Sequence, residues 1–297
     1  MGVIDKRYEF VMFFDVTNGN PNGDPDEGGR PRIDRMTGCG LVSDVCIKRK
    51  IRNYVSEAKD EADGYRIYIQ NDASLRSKDA EVCESVGVSA DDKAMKDSKK
   101  KDPNIDEKLR DGMCKSFYDV RAFGGVITTF TKVGLNCGQI NGPVQINFAQ
   151  SIDPISPRQL TITRMAVTTE KDFESKSNEM ASKYIVPYGL YRCEGYISAK
   201  QAQKVTGFTE EDLELFWTAL VNMFDTDHSS MRGKMATRAL YVFEHESALG
   251  NAPSHVLFNL VTAQRKESVA VARSIDDYEI VFHEEGMPTK VKWIKKI

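Results

Sequence analysis

Between residues 30 and 52 the chain places Arg30, Arg32, Arg35, Lys48, Arg49, Lys50 and Arg52 against only Asp34 and Asp44. That is a local excess of five positive charges in a chain whose net charge is −3. Cationic side chains at this density suit the neutralisation of phosphodiesters. Lys48 and Arg52 are four residues apart, so on a helix they share one face and reach successive phosphates. Charge runs are often only solvated faces, but here a loop bearing Arg30, Arg32 and Arg35 lies directly upstream. That loop, Thr17 to Gly40, holds six Gly, three Pro, three Asn and three Asp in 24 residues. Long ordered loops of this composition tend to carry function.

Two further segments point weakly the same way. Arg121-Ala-Phe-Gly-Gly-Val matches part of an RNA-recognition signature, and Ser229-Ser-Met-Arg232-Gly offers hydroxyls, amides and one guanidinium. TGCGLVSD puts small residues and Ser43 at a helix start, where free amides and the helix dipole favour a phosphate. A plain structural cap is the simpler account of Ser43. Other chemistries lack parts. Asn18, Asn20, Asn22 and Gly23 imitate a calcium loop, but its twelfth position is Gly29 where a bidentate Glu is needed. No Walker lysine follows a glycine loop, no GxSxG is present, and His228, His245, His255 and His283 have no metal spacing. Asp24, Asp26 and Asp34 offer a metal-dependent ribonuclease as the alternative reading, although solvated turn residues explain them more simply. No catalytic residue, metal or cofactor is expected.

The elements that must position these residues follow from periodicity. Tyr8 to Val16 (YEFVMFFDV) reads as a buried strand. Leu41 to Ala58 reads as a helix with Leu41, Val45, Ile51 and Val55 inward, and Tyr65 to Gln70 as a second strand. Residues 71 to 110 hold 19 charged residues and no aromatics, which predicts a helical surface insertion without a core of its own. DVRAFGGVITTF and GPVQINFAQ look strand-like. Gln159 to Val167 and Lys183 to Arg192 form a protruding hairpin around a polar tip. Thr209-Glu-Glu-Asp212 starts an amphipathic helix through Phe224, and strands follow at Ala239 to His245, Val256 to Thr262 and Tyr278 to His283. The order matches an α+β, ferredoxin-like domain with grafts, one domain over 1–297. Its 297 residues, 40% hydrophobic, can bury a core without a disulfide. Apolar runs stop at five residues, too short for a membrane span or signal peptide, and the six cysteines never approach CxxC spacing. A cytoplasmic protein with reduced thiols is expected.

At FDVTNGNPNGDPD and PRIDRMTGCGLVSDVCIKRKIRNYV the chain resembles the RAMP-superfamily backbone subunit of the type I-C CRISPR Cascade surveillance complex. DVRAFGGV, YIVPYGLYRCEGYIS, MFDTDHSSMRGKMATRALYVFEH and HVLFNL extend the resemblance to about Leu260. It implies an RRM-type palm, a helical finger insertion (about 71–115) and a β-hairpin thumb (about 159–192). It also implies a helical oligomer of this chain along one crRNA, which pairs with target DNA in antiviral defence beside crRNA-processing, large and small subunits. On that resemblance Ser43, Lys48, Arg49 and Arg52 are palm contacts to crRNA, supported by Arg30 and Arg32. Arg164 and Met165 are thumb contacts. Arg121 and Arg232 complete the expected RNA-binding set.

Overall fold

The computed structural model describes residues 2–71, 74–164 and 179–297. The first strand, β1 (Tyr8–Gly19), turns Phe10, Met12, Phe14 and Val16 into one core and Val11 and Phe13 into another. A strand covered on both faces needs no polar side, which is why its sequence is apolar almost throughout. Two short strands follow, β2 (Gly23–Asp24) and β3 (Arg30–Pro31), then β4 (Cys39–Val42) and helix α1 (Asp44–Lys59). The next helices are α2 (Leu75–Ser85), α3 (Asp92–Lys101), α4 (Ile105–Ser116), α5 (Tyr118–Phe123) and α6 (Thr128–Lys132). A small ribbon, β5 (Gly124–Val126) with β6 (Gln139–Asn141), brackets α6. Strands β7 (Val144–Ile146), β8 (Ala149–Pro154), β9 (Arg158–Arg164) and β10 (Glu179–Ile197) lead to helix α7 (Glu210–Asn222) and strand β11 (Lys234–His245). The last elements are α8 (Ser254–Asn259), β12 (Val261–Arg265), β13 (Tyr278–Phe282) and β14 (Val291–Lys295).

The main sheet runs β14-β11-β1-β10-β8-β4, and its pairings are antiparallel. Helices α1 and α7 cover one face, where Ile47, Ile51 and Val55 meet Leu213, Phe216, Trp217 and Leu220. Phe10 packs edge-on against both Phe216 and Trp217, with 5.7 Å between ring centroids in each case. The ribbon β12–β13 and α8 cover the other face. Strand β10 outlasts its partner. It pairs with β1 from Ile197 back to Val186, then continues from Ile185 to Glu179 against β9 alone. The expected hairpin is therefore an extension of a sheet strand, and its tip lies outside the described residues.

A capping box starts α7: the Thr209 hydroxyl accepts the Asp212 amide at 3.2 Å, and Asp212 accepts the Thr209 amide at 2.9 Å. Thr209→Ala is expected to cost about 1 kcal/mol, a fall in thermal midpoint of a few degrees. An unshifted melting curve would show that the box contributes nothing.

Several sequence expectations need correction. Helix α1 starts at Asp44, because Leu41 and Val42 belong to β4; Val45 is exposed, and Lys50 takes an inward place beside Ile51. Residues 65–70 make no strand beyond one bridge between Arg66 and Phe117. The Tyr68 and Ile69 amides donate instead to the Asp119 carboxylate, at 2.7 and 3.1 Å. DVRAF is helical: all six residues from Tyr118 to Phe123 are buried, with Asp119 accepting the Tyr68 and Ile69 amides and Arg121 held by Asp212. The charged insertion is helical and holds no core by itself, as expected, but it is not a bare surface graft. Val82, Cys83, Met95, Ile105 and Leu109 bury against Phe117, Ile127, Phe130 and Leu135, residues supplied from outside the segment. Val256 to Asn259 closes helix α8, and only Val261 onward is strand.

Candidate nucleic-acid interface

The end of β1, the glycine-rich loop, the start of α1 and the 227–233 segment converge. The Asn20 amide donates to the Met231 carbonyl at 2.7 Å, and the backbones approach so closely that a Cβ on Gly19 would strike the Arg232 carbonyl. Gly233 completes the contact with a left-handed φ of +63°. Asn22 ties the loop to the helix, its Oδ1 accepting both the Ser43 amide and the Ser43 hydroxyl at 2.9 Å. Ser43 therefore faces its own loop and is buried; it holds the interface together and presents no hydroxyl to solvent.

The loop aspartates act as turn acceptors. Asp24 accepts the Asp26 amide at 3.1 Å and stands 3.3 Å from Arg32. Asp34 accepts the Met36 amide and the Thr37 hydroxyl, each at 2.9 Å. The Met36 amide first, and then the Thr37 hydroxyl, hold the Asp34 carboxyl below the ordinary aspartate range. The exposed Asp26 is left without such a bond. Among the described residues, no group of three or more His, Cys, Asp or Glu side chains is placed to hold a metal ion. His245 is a core residue, its Nε2 on Glu9 and its Nδ1 accepting the Asn251 amide at 2.7 Å.

The basic residues divide into committed and available. Lys48 and Arg52 do share a face, both lying over the Phe123 ring, at 5.6 and 5.3 Å from its centroid. Yet Lys48 pairs with Asp44 at 3.0 Å and Arg52 with Asp119 at 2.7 Å, and their side chains are only 14% and 11% exposed. Arg49 donates to the Ile69 carbonyl at 2.8 Å. Lys50, 2% exposed, pairs with Asp227, which also holds Arg232. Burial, with the Arg232 guanidinium adding to it, pushes the Lys50 ammonium down to about 8. Arg121 is buried, its side chain 10% exposed. Its fork grips Asp212 at 2.7 and 2.8 Å while its remaining donors reach the Cys114 and Gly64 carbonyls. That guanidinium clasps α5 to the start of α7, with its donors taken by internal acceptors.

What remains open lies on the loop. Arg30 is exposed and stacks over Tyr184 of β10 at 5.1 Å, and Arg35, 86% exposed, touches only Glu27. Together with Ile33, Gln159 and Tyr184 they line a groove of about 450 Å³ between the loop and the foot of the hairpin. Arg32, in the same loop, and Arg232, in the 227–233 segment, are partly exposed, each with one carboxylate partner. Arg164 ends β9 opposite Glu179, and Met165 lies outside the described residues. Sequence reasoning did not single out Tyr184, Asp119 or Asp227. Tyr184 could have been found from strand alternation, whereas the two aspartates act across 67 and 177 residues and leave no local signal.

Relatives agree with this architecture. A protein of Haloferax volcanii described as CRISPR-associated protein Cas7 is 24% identical over 287 residues, spanning 91% of this chain and 79% of that protein. A chain from a solved CRISPR RNA-guided surveillance complex in a pre-nicking state shares the fold with a TM-score of 0.51. It is 14% identical, with 80% of this chain and 78% of that chain covered. The family model for CRISPR-associated protein Cas7 matches residues 6–283, and the chain accordingly belongs to the Cas7 family.

Proposed function

We propose that this protein is the crRNA-binding backbone subunit of a Cascade-type surveillance complex, of the type I-C form. Copies of it would line one crRNA and present it to a target DNA strand beside the other Cascade subunits. The observation that carries this reading is the loop-and-hairpin groove, where Arg30 and Arg35 stand open beside Tyr184 in a chain matched to the Cas7 family over 6–283. The strand order β11-β1-β10-β8, with α1 and α7 on one face, supports a ferredoxin-like, RRM-type palm. Helices α2 to α4, whose apolar side chains are buried against residues 117–135, serve as the finger, and the β9–β10 extension as the thumb, with Arg164 and Met165 as its RNA contacts. Arg30, Arg32, Arg35 and Arg232 take RNA phosphates, while Ser43, Lys48, Arg49 and Arg52 fix the helix and loop that carry them. Backbone subunits of the Cas7 family are non-catalytic, and of the loop aspartates Asp24 and Asp34 are engaged as turn acceptors. No helix among the described residues is long and apolar enough to cross a membrane.

The test is co-expression with a repeat–spacer array and the partner subunits, followed by sequencing of RNA that survives a high-salt column. RNA of uniform length carrying one spacer, in a particle far larger than one chain, is the expected result. Protein without RNA, even with partners supplied, would overturn the reading.

A further inference from the structure

The foot of the β9–β10 hairpin carries a groove on each side. Arg158 and Gln159 are consecutive in β9, so their side chains leave opposite faces. Gln159 lines the groove with Arg30 and Tyr184, and Arg158 lines a second cleft of about 280 Å³. Arg265, at the end of β12, and Arg273, in the β12–β13 connection, reach the same cleft between walls that include Pro154 and Pro187. Arg158 and Arg273 are exposed. Among the arginines whose side chains are described, they are the two whose side chains make no hydrogen bond, ion pair or ring contact; the Arg273 main-chain amide donates to Asp277 at 2.6 Å. Arg265 is only lightly held, by the Ala270 carbonyl at 3.0 Å and by Asp153 at 3.9 Å. Asp153, the carboxylate of the cleft, also accepts the Tyr278 hydroxyl at 2.7 Å. Three guanidinium forks thus line a cleft whose one lining carboxylate is already occupied. A guanidinium binds an oxyanion best when no internal acid competes for its five donors.

We propose that this cleft is a second phosphate site, taking a phosphodiester of single-stranded nucleic acid independently of the loop groove. The proposal rests on the reading of this chain as a nucleic-acid binder. Nucleic acid is favoured over an acidic protein surface because the cleft and the proposed crRNA groove are the two sides of one strand. The set is also all arginine, the side chain whose fork matches a phosphate in bidentate fashion.

The experiment measures binding of a labelled single-stranded uridine RNA to the full chain across a salt series. Wild type is compared with an Arg158→Ala/Arg273→Ala double variant. Neither arginine has an internal partner, so neither truncation strands a buried charge, and an unchanged melting curve is expected. The salt slope should become shallower by about 0.7 to 1.4, the counterion release of one or two single-strand phosphates. Arg158→Lys/Arg273→Lys should restore the slope while recovering only part of the affinity. An unchanged slope in the alanine variant overturns the second site alone. So does an unchanged slope accompanied by loss of self-association in sedimentation, which would assign the cleft to an acidic surface of another copy. Wild-type protein that binds no RNA, alone or assembled with the partner subunits, would remove this proposal and the proposed function together.

Discussion

Asp227→Ala is expected to destabilise the protein by about 3–5 kcal/mol at neutral pH, the usual cost of removing one partner from a buried ion pair. Lys50 is 2% exposed and Asp227 3% exposed at the side chain, so water cannot replace the lost carboxylate. The same carboxylate holds Arg232, so the 227–233 segment should loosen from α1 and from the end of β1. The pH dependence has a definite sign. The pair stabilises the fold while Lys50 is charged, and its ammonium is pushed down to about 8. Without the carboxylate the folded Lys50 gives up its proton at lower pH still, while the unfolded chain keeps it, so the deficit of the variant is largest in acid and shrinks as pH rises toward 8. Adding Lys50→Met should recover much of the loss, because an apolar chain of similar length suits the site beside Phe224. Denaturant melts of the four chains form the cycle. Additive effects, or a deficit constant from pH 6 to 9, would show that the two residues do not act as a buried charge pair.

The same residues show what a sequence can disclose. β1 and α7 were legible because their apolar spacing is strong and their ends are marked, by a turn-rich segment after Val16 and by the Thr209–Asp212 box. The inward place of Lys50 was also visible in principle. Ile47, Ile51 and Val55 define the buried stripe of α1, and position 50 falls inside it. The partners of the basic cluster were not legible. Within 30–52 only Asp34 and Asp44 oppose seven cations, but the fold brings Asp24, Glu27, Asp119 and Asp227 against them. The local excess of charge is thus largely answered from elsewhere in the chain. The insertion was legible only in part, for a related reason. Its apolar residues are too few for a core alone, and the aromatics that complete it come from 117–135.

This pairing changes which cations should govern RNA affinity, and Arg30→Ala/Arg35→Ala is the variant expected to show it. Arg30 leans on a ring, and Arg35 meets an exposed carboxylate in a contact worth about 0–1 kcal/mol. Their removal should leave the melting temperature nearly unchanged. Each guanidinium that neutralises a phosphate contributes about 0.7 to the salt slope for a single strand. The double variant should therefore lose about 1.4 of slope and bind roughly ten- to a hundredfold more weakly at low salt. Glu27→Gln should act oppositely, since it frees Arg35 from a competing carboxylate. Lys48→Ala/Arg52→Ala should behave differently. Removing Arg52 leaves the buried Asp119 carboxylate with its two amide donors but no counter-charge, so stability should fall first. Binding loss in that variant should track partial unfolding, with the slope of the folded fraction preserved. If Lys48→Ala/Arg52→Ala instead flattens the salt slope at full stability while Arg30→Ala/Arg35→Ala leaves it intact, the RNA lies along the face of α1. The loop groove would then be no part of the interface.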